Sequence, residues 1–151
     1  MKRVVKVAGE SMAPTYRTGD LLLTRGAGRA GLARCGEVVV LRHAGTRMLK
    51  RVVGLPGDRV ELEAGRSFVN GESVDGRARV PGAHIQAWRV PLHSYFVVGD
   101  NPGLSDDSRV WDEPFVPVDH VEAVVVGRLA GARRRMGLRP AVLPAPADPV
   151  G

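Results

Sequence analysis

The feature that most constrains this chain is a succession of short apolar runs, none of them long enough or periodic enough to be a helix. RVVKVA, DLLLTR, EVVVLRH, RMLKRVVGL, DRVELE, SFVNGESV, YFVVGD and HVEAVVVGRL are rich in β-branched residues and are separated by Gly, Pro, Asn or Asp. No segment sustains a 3.6-residue apolar period. The pattern predicts an all-β chain of short strands. Between SFV and ESV the pair Asn70-Gly71 predicts a two-residue hairpin, because both central positions of a type I′ turn need φ > 0. At 151 residues there is room for one domain with a single core. That domain is expected over residues 1–132. The remainder, 133–151, starts with basic residues and continues as GLRPAVLPAPADPVG, a proline- and alanine-rich run expected to be a poorly ordered tail.

Composition removes several function classes. With one cysteine, Cys35, no internal disulfide and no multi-cysteine metal site can form. His43, His84, His93 and His120 lie far apart without ligand spacing, so no metal and no cofactor is expected. The formal charge of +6 comes from scattered arginines and the cluster GARRRMGLR, a pattern of solvated charge for which no nucleic-acid partner is expected. No apolar run approaches the roughly 20 residues that cross a bilayer, and MKRVVKVAGE lacks the apolar core of a secretory signal. As written, the chain is expected to be soluble and cytoplasmic.

Two residues stand out as candidate chemistry. Ser11, in GESMAPTY, sits between an apolar strand and a proline turn, where it can be an ordinary turn hydroxyl or a nucleophile. Lys50 is one of only three lysines among 22 basic residues, and it lies inside the apolar strand RMLKRVVGL. Strict alternation points Lys50 and Arg51 to opposite faces, so one of them faces the interior. A lysine there is either a snorkelling strand residue or a base. An unperturbed lysine is neutral in roughly one molecule in a few thousand at pH 7, too few to deprotonate a serine, whereas burial lowers its pKa and populates the amine. Arginine cannot be used in this way.

Three boxes join these residues. SMAPT (Ser11 to Thr15), KRVVGLPGD (Lys50 to Asp58) and GDNPGLSDDSR (Gly99 to Arg109) resemble, in order and spacing, the SMxPT, KRxxGxPGD and GDNxxxSxDSR patterns of type I signal peptidases. The resemblance covers about Val4 to Leu129. It implies a fold of several short, coiled antiparallel sheets, shared with the self-cleaving peptidase domain of SOS-type repressors. It also implies a serine endopeptidase that removes signal or leader peptides after small residues, in the manner of Ala-x-Ala.

Residue by residue, the resemblance implies Ser11 as nucleophile and Lys50 as general base. Ser105 would orient the lysine amine, and Asp107 and Arg109 would form an ion pair behind it. Asp100, Asn101 and Ser108 would shape the loop, while Gly54, Pro56, Gly57 and Asp58 would serve turns and packing. Met12 would line the substrate cleft, and Pro14 would fix the turn. The position two before the nucleophile is Gly9, where some signal peptidases place a serine of the oxyanion hole. Main-chain groups around Ser11 and Gly9 are therefore expected to form it, glycine permitting close approach.

The implied partner is a precursor protein or peptide bearing a leader. Peripheral membrane contact is expected through exposed Trp88, Trp111 or Phe115 and through Arg133 to Arg135. The family's usual N-terminal anchor is missing from the sequence, so the chain is either a soluble maturation peptidase for a cytoplasmic precursor or membrane-associated through an anchor that has been removed. Two rival readings are a repressor-type self-cleaving domain, which lacks GDNxxxSxDSR, and a non-enzymatic basic β-module, which explains the charge but none of the boxes.

Overall fold

The computed structural model describes residues 2–28, 33–82, 85–131 and 147–150. The runs read as strands from sequence all contribute strands. They are β1 (Lys2–Val7), β2 (Leu21–Gly26), β3 (Val38–His43), β4 (Thr46–Gly54), β5 (Arg59–Glu63), β6 (Arg66–Val69) and β7 (Glu72–Ser73). Then follow β8 (Ile85–Arg89), β9 (Ser94–Val98), β10 (Phe115–Pro117), β11 (Val121–Ala130) and β12 (Ala147–Val150). One sheet has the order β10-β9-β4-β3-β11-β2-β1-β12, and a smaller one has the order β7-β6-β5-β8.

Pairing is antiparallel with one exception among the described strands, the parallel pair β1 and β12. Although three strands separate β4 from β1 in the order of the large sheet, β12 also lies against β4. The sheet therefore curls until its β1–β12 edge returns to β4. This curl sets the strand that leads into Ser11 across β12 from the strand that carries Lys50.

Three apolar clusters hold the sheets. Val39, Leu41, Val52, Tyr95 and Val97 fill one side of the large sheet, and Val5, Val7, Met12, Leu22 and Leu49 fill the other. Val53 and Phe96 meet Val60 of the small sheet, with Val90 and Val98 completing the third cluster. Gly54 marks the tightest point of that contact. A Cβ there would stand 2.8 Å from Val60 Cγ2 and 2.9 Å from Phe96 Cβ, so the packing role expected of Gly54 is met by close approach.

The Asn70-Gly71 hairpin forms as expected, with φ of 50° and 85° and the register Val69↔Glu72. Ala44-Gly45 and Ala64-Gly65 also have positive φ at both residues and connect β3 to β4 and β5 to β6. Strands β8, β10 and β12 were not foreseen. β8 is largely exposed and shows almost no apolar alternation, and β10 has only three residues. β12 corrects part of the expected loose tail: Ala147–Val150 are held by β1, while residues 132–146, including Arg133 to Arg135, lie outside the described residues.

The expectation that Trp88, Trp111 and Phe115 are exposed is also corrected. Trp88 tilts against Phe96 at 5.0 Å, and Trp111 stacks on His43 at 3.7 Å. Phe115 lies opposite Phe96 across the β9–β10 pair and packs on the third cluster. Strand pairing carries Trp88 and Phe115 onto the core, and Trp111 packs beside it from a loop. The large side chains left outside are aliphatic, Leu92, Leu104 and Val110 foremost.

Candidate active site

Beyond β1 the chain makes a tight double turn. Ala13 N donates to Glu10 O at 3.1 Å and Tyr16 N to Met12 O at 3.0 Å, which leaves Ser11 at the start of the turn with 9% of its surface exposed. Gly9 has φ +90° with nothing within 4 Å of where a Cβ would stand. Glycine is needed there for the backbone conformation. Thr18 Oγ1 fixes this bend by donating to Gly9 O at 3.0 Å. Pro14 follows a cis peptide and is exposed, whereas Met12 is buried in the cluster that includes Val7, Leu49 and Val150.

Lys50 is 2% exposed, opposite Val39 in the β3–β4 register, with fully buried Leu49 and Val52 on the same strand. Of the two basic residues that alternation sends to opposite faces, Lys50 is the one turned inward. Arg51 reaches outward and grips Asp100 with two hydrogen bonds, Nε to Oδ1 at 2.8 Å and Nη2 to Oδ2 at 2.6 Å. Burial holds the Lys50 pKa below the usual lysine range; the carboxylates of Asp107 and Asp106 oppose this, and Arg109 assists it.

The loop from Gly99 to Arg109 ties the two strands together. Asn101 N donates to Ser11 O at 2.9 Å and Asn101 Nδ2 to Glu10 O at 3.0 Å, so the loop grips the backbone at the serine. A Cβ on Gly99 would stand 2.1 Å from Ser105 Oγ and 2.6 Å from Ser11 O, so the Ser105 side chain and the serine turn meet at the space this glycine leaves open. Ser105 donates to Asp107 Oδ2 at 2.5 Å. Asp107, fully buried, also accepts from Gly99 N at 2.8 Å and from Arg109 Nε and Nη2 at 2.9 and 2.6 Å. Burial works against this carboxylate, but the bonds from Arg109, Ser105 and Gly99 together hold its pKa below the usual range. Ser108, equally buried, accepts from Val97 N at 2.9 Å and anchors the loop to β9.

Ser11 and Lys50, far apart in sequence, are thus both tied to the loop that carries Ser105, Asp107 and Arg109. The geometry supplies a serine held through its main chain, a desolvated amine, and a hydroxyl whose proton is committed to a carboxylate. That hydroxyl retains lone pairs with which to accept from an amine.

A family model described as signal peptidase, peptidase S26, matches residues 2–130. The chain belongs to this signal peptidase family. Signal peptidase I of Pseudomonas fluorescens is 30% identical over 161 aligned positions, which cover 76% of this chain and 57% of that protein. Signal peptidase I S of Bacillus subtilis (strain 168) is 34% identical over 117 positions, covering 68% of this chain and 64% of that one. This signal peptidase family member therefore spans somewhat more than half the length of these curated relatives. Among solved structures, a signal peptidase I from Enterococcus faecalis V583 superposes with a TM-score of 0.50 at 29% identity, covering 62% of this chain and 97% of that one. The all-β architecture is that of the family. No helix among the described residues is long and apolar enough to cross a membrane.

One link within the site escaped the sequence reading. Arg51 of the second box and Thr15 of the first both bind Asp100 of the third, Thr15 Oγ1 donating to Oδ2 at 2.6 Å. Burial opposes the Asp100 carboxylate, yet its bonds from Arg51 and Thr15 prevail and hold its pKa down. Because each residue occupies a box, the signal was present; what sequence could not supply was which loop residue answers which strand residue.

Proposed function

We propose that this chain is a serine endopeptidase that removes signal or leader peptides after small residues, with Ser11 as nucleophile and Lys50 as general base. The observation that carries this reading is the Gly99–Arg109 loop, which holds the backbone of Ser11 and also the carboxylate that acts most strongly on buried Lys50. Neutral Lys50 takes the proton of Ser11 as Oγ attacks the substrate carbonyl, and main-chain N–H groups at Ser11 receive the oxyanion. The lysine ammonium then protonates the leaving amine, and water repeats the sequence on the acyl-enzyme.

Ser105 orients the amine because its own proton is given to Asp107. Arg109 acts on the lysine as well as on the loop, since by neutralising Asp107 it limits the rise in the Lys50 pKa that a bare carboxylate would cause. The substrate in this reading is a precursor with an extended leader, and membrane contact accompanies its processing.

A panel of Ala-x-Ala peptides incubated with the chain and with Ser11→Ala, Lys50→Ala and Lys50→Arg tests the reading. Cleavage by the native chain alone, with all three variants folded and reduced by about 10³-fold or more, is expected. Comparable turnover by any of the three would overturn the dyad.

A further inference from the structure

We propose that Ala147–Val150 is a built-in competitor: this segment occupies the groove between β1 and β4 as a substrate peptide would, and a substrate must displace it to reach Ser11. The inference rests on the peptidase reading above and adds an occupant and a regulatory consequence to it.

Direction is the first observation. β12 runs parallel to β1, with Val5↔Ala147 and Val7↔Val150 in register, and Ala8 N donates to Val150 O at 2.7 Å at the point where the chain turns into Ser11. The segment is thus led toward the serine along the strand that precedes it. An extended peptide that joins an open sheet edge gains main-chain bonds from the edge and presents alternate side chains to pockets. β12 joins the edge of β1 in this way, and it also lies against β4.

The second observation is the buried side chain. Val150 is fully buried in the cluster that holds Met12 and Leu49, the direct neighbours in sequence of Ser11 and Lys50. The place it fills is an apolar pocket lined by those two neighbours, suited to one small or branched side chain. Met12, expected from sequence to line the cleft, is buried in that same cluster.

The third observation is how weakly the strand is tied. Pro149 has no N–H to give, and the register shifts between the Val5 and Val7 pairings, so β12 cannot complete a regular ladder. An occupant held by an irregular ladder can exchange with another peptide. Occupied molecules cannot bind substrate, so the apparent affinity is reduced by the unoccupied fraction.

The test compares the full chain with Val150→Asp, which expels the segment, and with Val150→Thr, which keeps the shape and adds a hydroxyl. Steady-state cleavage of an Ala-x-Ala peptide should show KM lowered about 3-fold or more in Val150→Asp and by less in Val150→Thr, with kcat unchanged. Should Val150→Asp fail to fold, Val150→Thr decides alone; a KM that is unchanged or raised overturns the proposal. A labelled peptide of sequence APADPVG, titrated by fluorescence anisotropy, should bind a Ser11→Ala, Val150→Thr chain at least 3-fold more tightly than Ser11→Ala alone. Tighter binding without any cleavage by the native chain keeps the occupant and removes the peptidase reading. Cleavage with equal KM values and equal peptide binding removes the occupant and keeps the peptidase.

Discussion

Lys50 and Arg109 show how single residues divide the work of the site. Burying an amine among Leu49, Val52 and Val39 disfavours its charged form, so the folded pKa lies below the unfolded one. At pH values below the folded pKa the lysine is charged in both states and the burial penalty is at its largest. Between the two pKa values the unfolded chain holds a proton that the folded chain releases, and stability rises with pH. Lys50→Met should therefore have a higher thermal midpoint than the native chain at acid and neutral pH, with the gain shrinking toward the ordinary lysine value of about 10.4. A midpoint lowered at neutral pH would show that the ammonium is well accommodated. Arg109→Gln makes the complementary prediction. With Asp107 no longer neutralised, the Lys50 pKa should rise and the ascending limb of the pH–rate profile should move to higher pH. A limb that stays in place while the rate falls would reduce Arg109 to a purely structural role. The burial of Lys50 was legible because an isolated lysine in an apolar strand leaves a mark in composition and alternation, while its pairing with Ser11 rested on the resemblance of the three boxes; the Arg51–Asp100–Thr15 link was not legible, because hydrogen-bond partners are chosen by the tertiary fold.

Among the elements, legibility followed the strength of the local pattern. β3 and β4 carry dense β-branched runs buried on both faces, and these were plain from sequence. β8 packs only Trp88 inward, and β12 is held by its partner strand more than by propensity, so neither had a period to read. Turns divide in the same way. Asn70-Gly71 announces its hairpin, but Ala44-Gly45 and Ala64-Gly65 adopt positive φ with an alanine in the first position, where no turn signal exists. An alanine in the left-handed region costs roughly 1–2 kcal/mol, and asparagine lowers that cost through its short polar side chain. Ala64→Asn, at φ 51° and exposed between β5 and β6, should stabilise the chain by about 0.5–1 kcal/mol, read as a higher denaturant midpoint at unchanged slope. A lower midpoint would mean that this turn is held by contacts the alanine itself makes.

For the molecule as a whole, the distribution of exposed apolar surface bears on where the reaction takes place. The aromatic rings are spent on the core, yet Leu104 and Val110, 67% and 66% exposed, flank the segment that carries Ser105, Asp107 and Arg109. Nothing in the fold requires large aliphatic side chains at these positions, and exposed apolar side chains grouped around a candidate site mark a contact surface. Inserting one such side chain into an apolar phase is worth about 1.5–3 kcal/mol, enough for the pair to shift a membrane partition by an order of magnitude or more. The chain should therefore co-sediment with phospholipid vesicles, and Leu104→Asp with Val110→Asp should weaken that binding at least tenfold. Cleavage of a short soluble peptide by the double variant should be unchanged, because neither side chain makes a hydrogen bond within the site. Vesicle binding that is absent, or that survives both substitutions, would detach this surface from the bilayer and leave a precursor in solution as the partner of the candidate site.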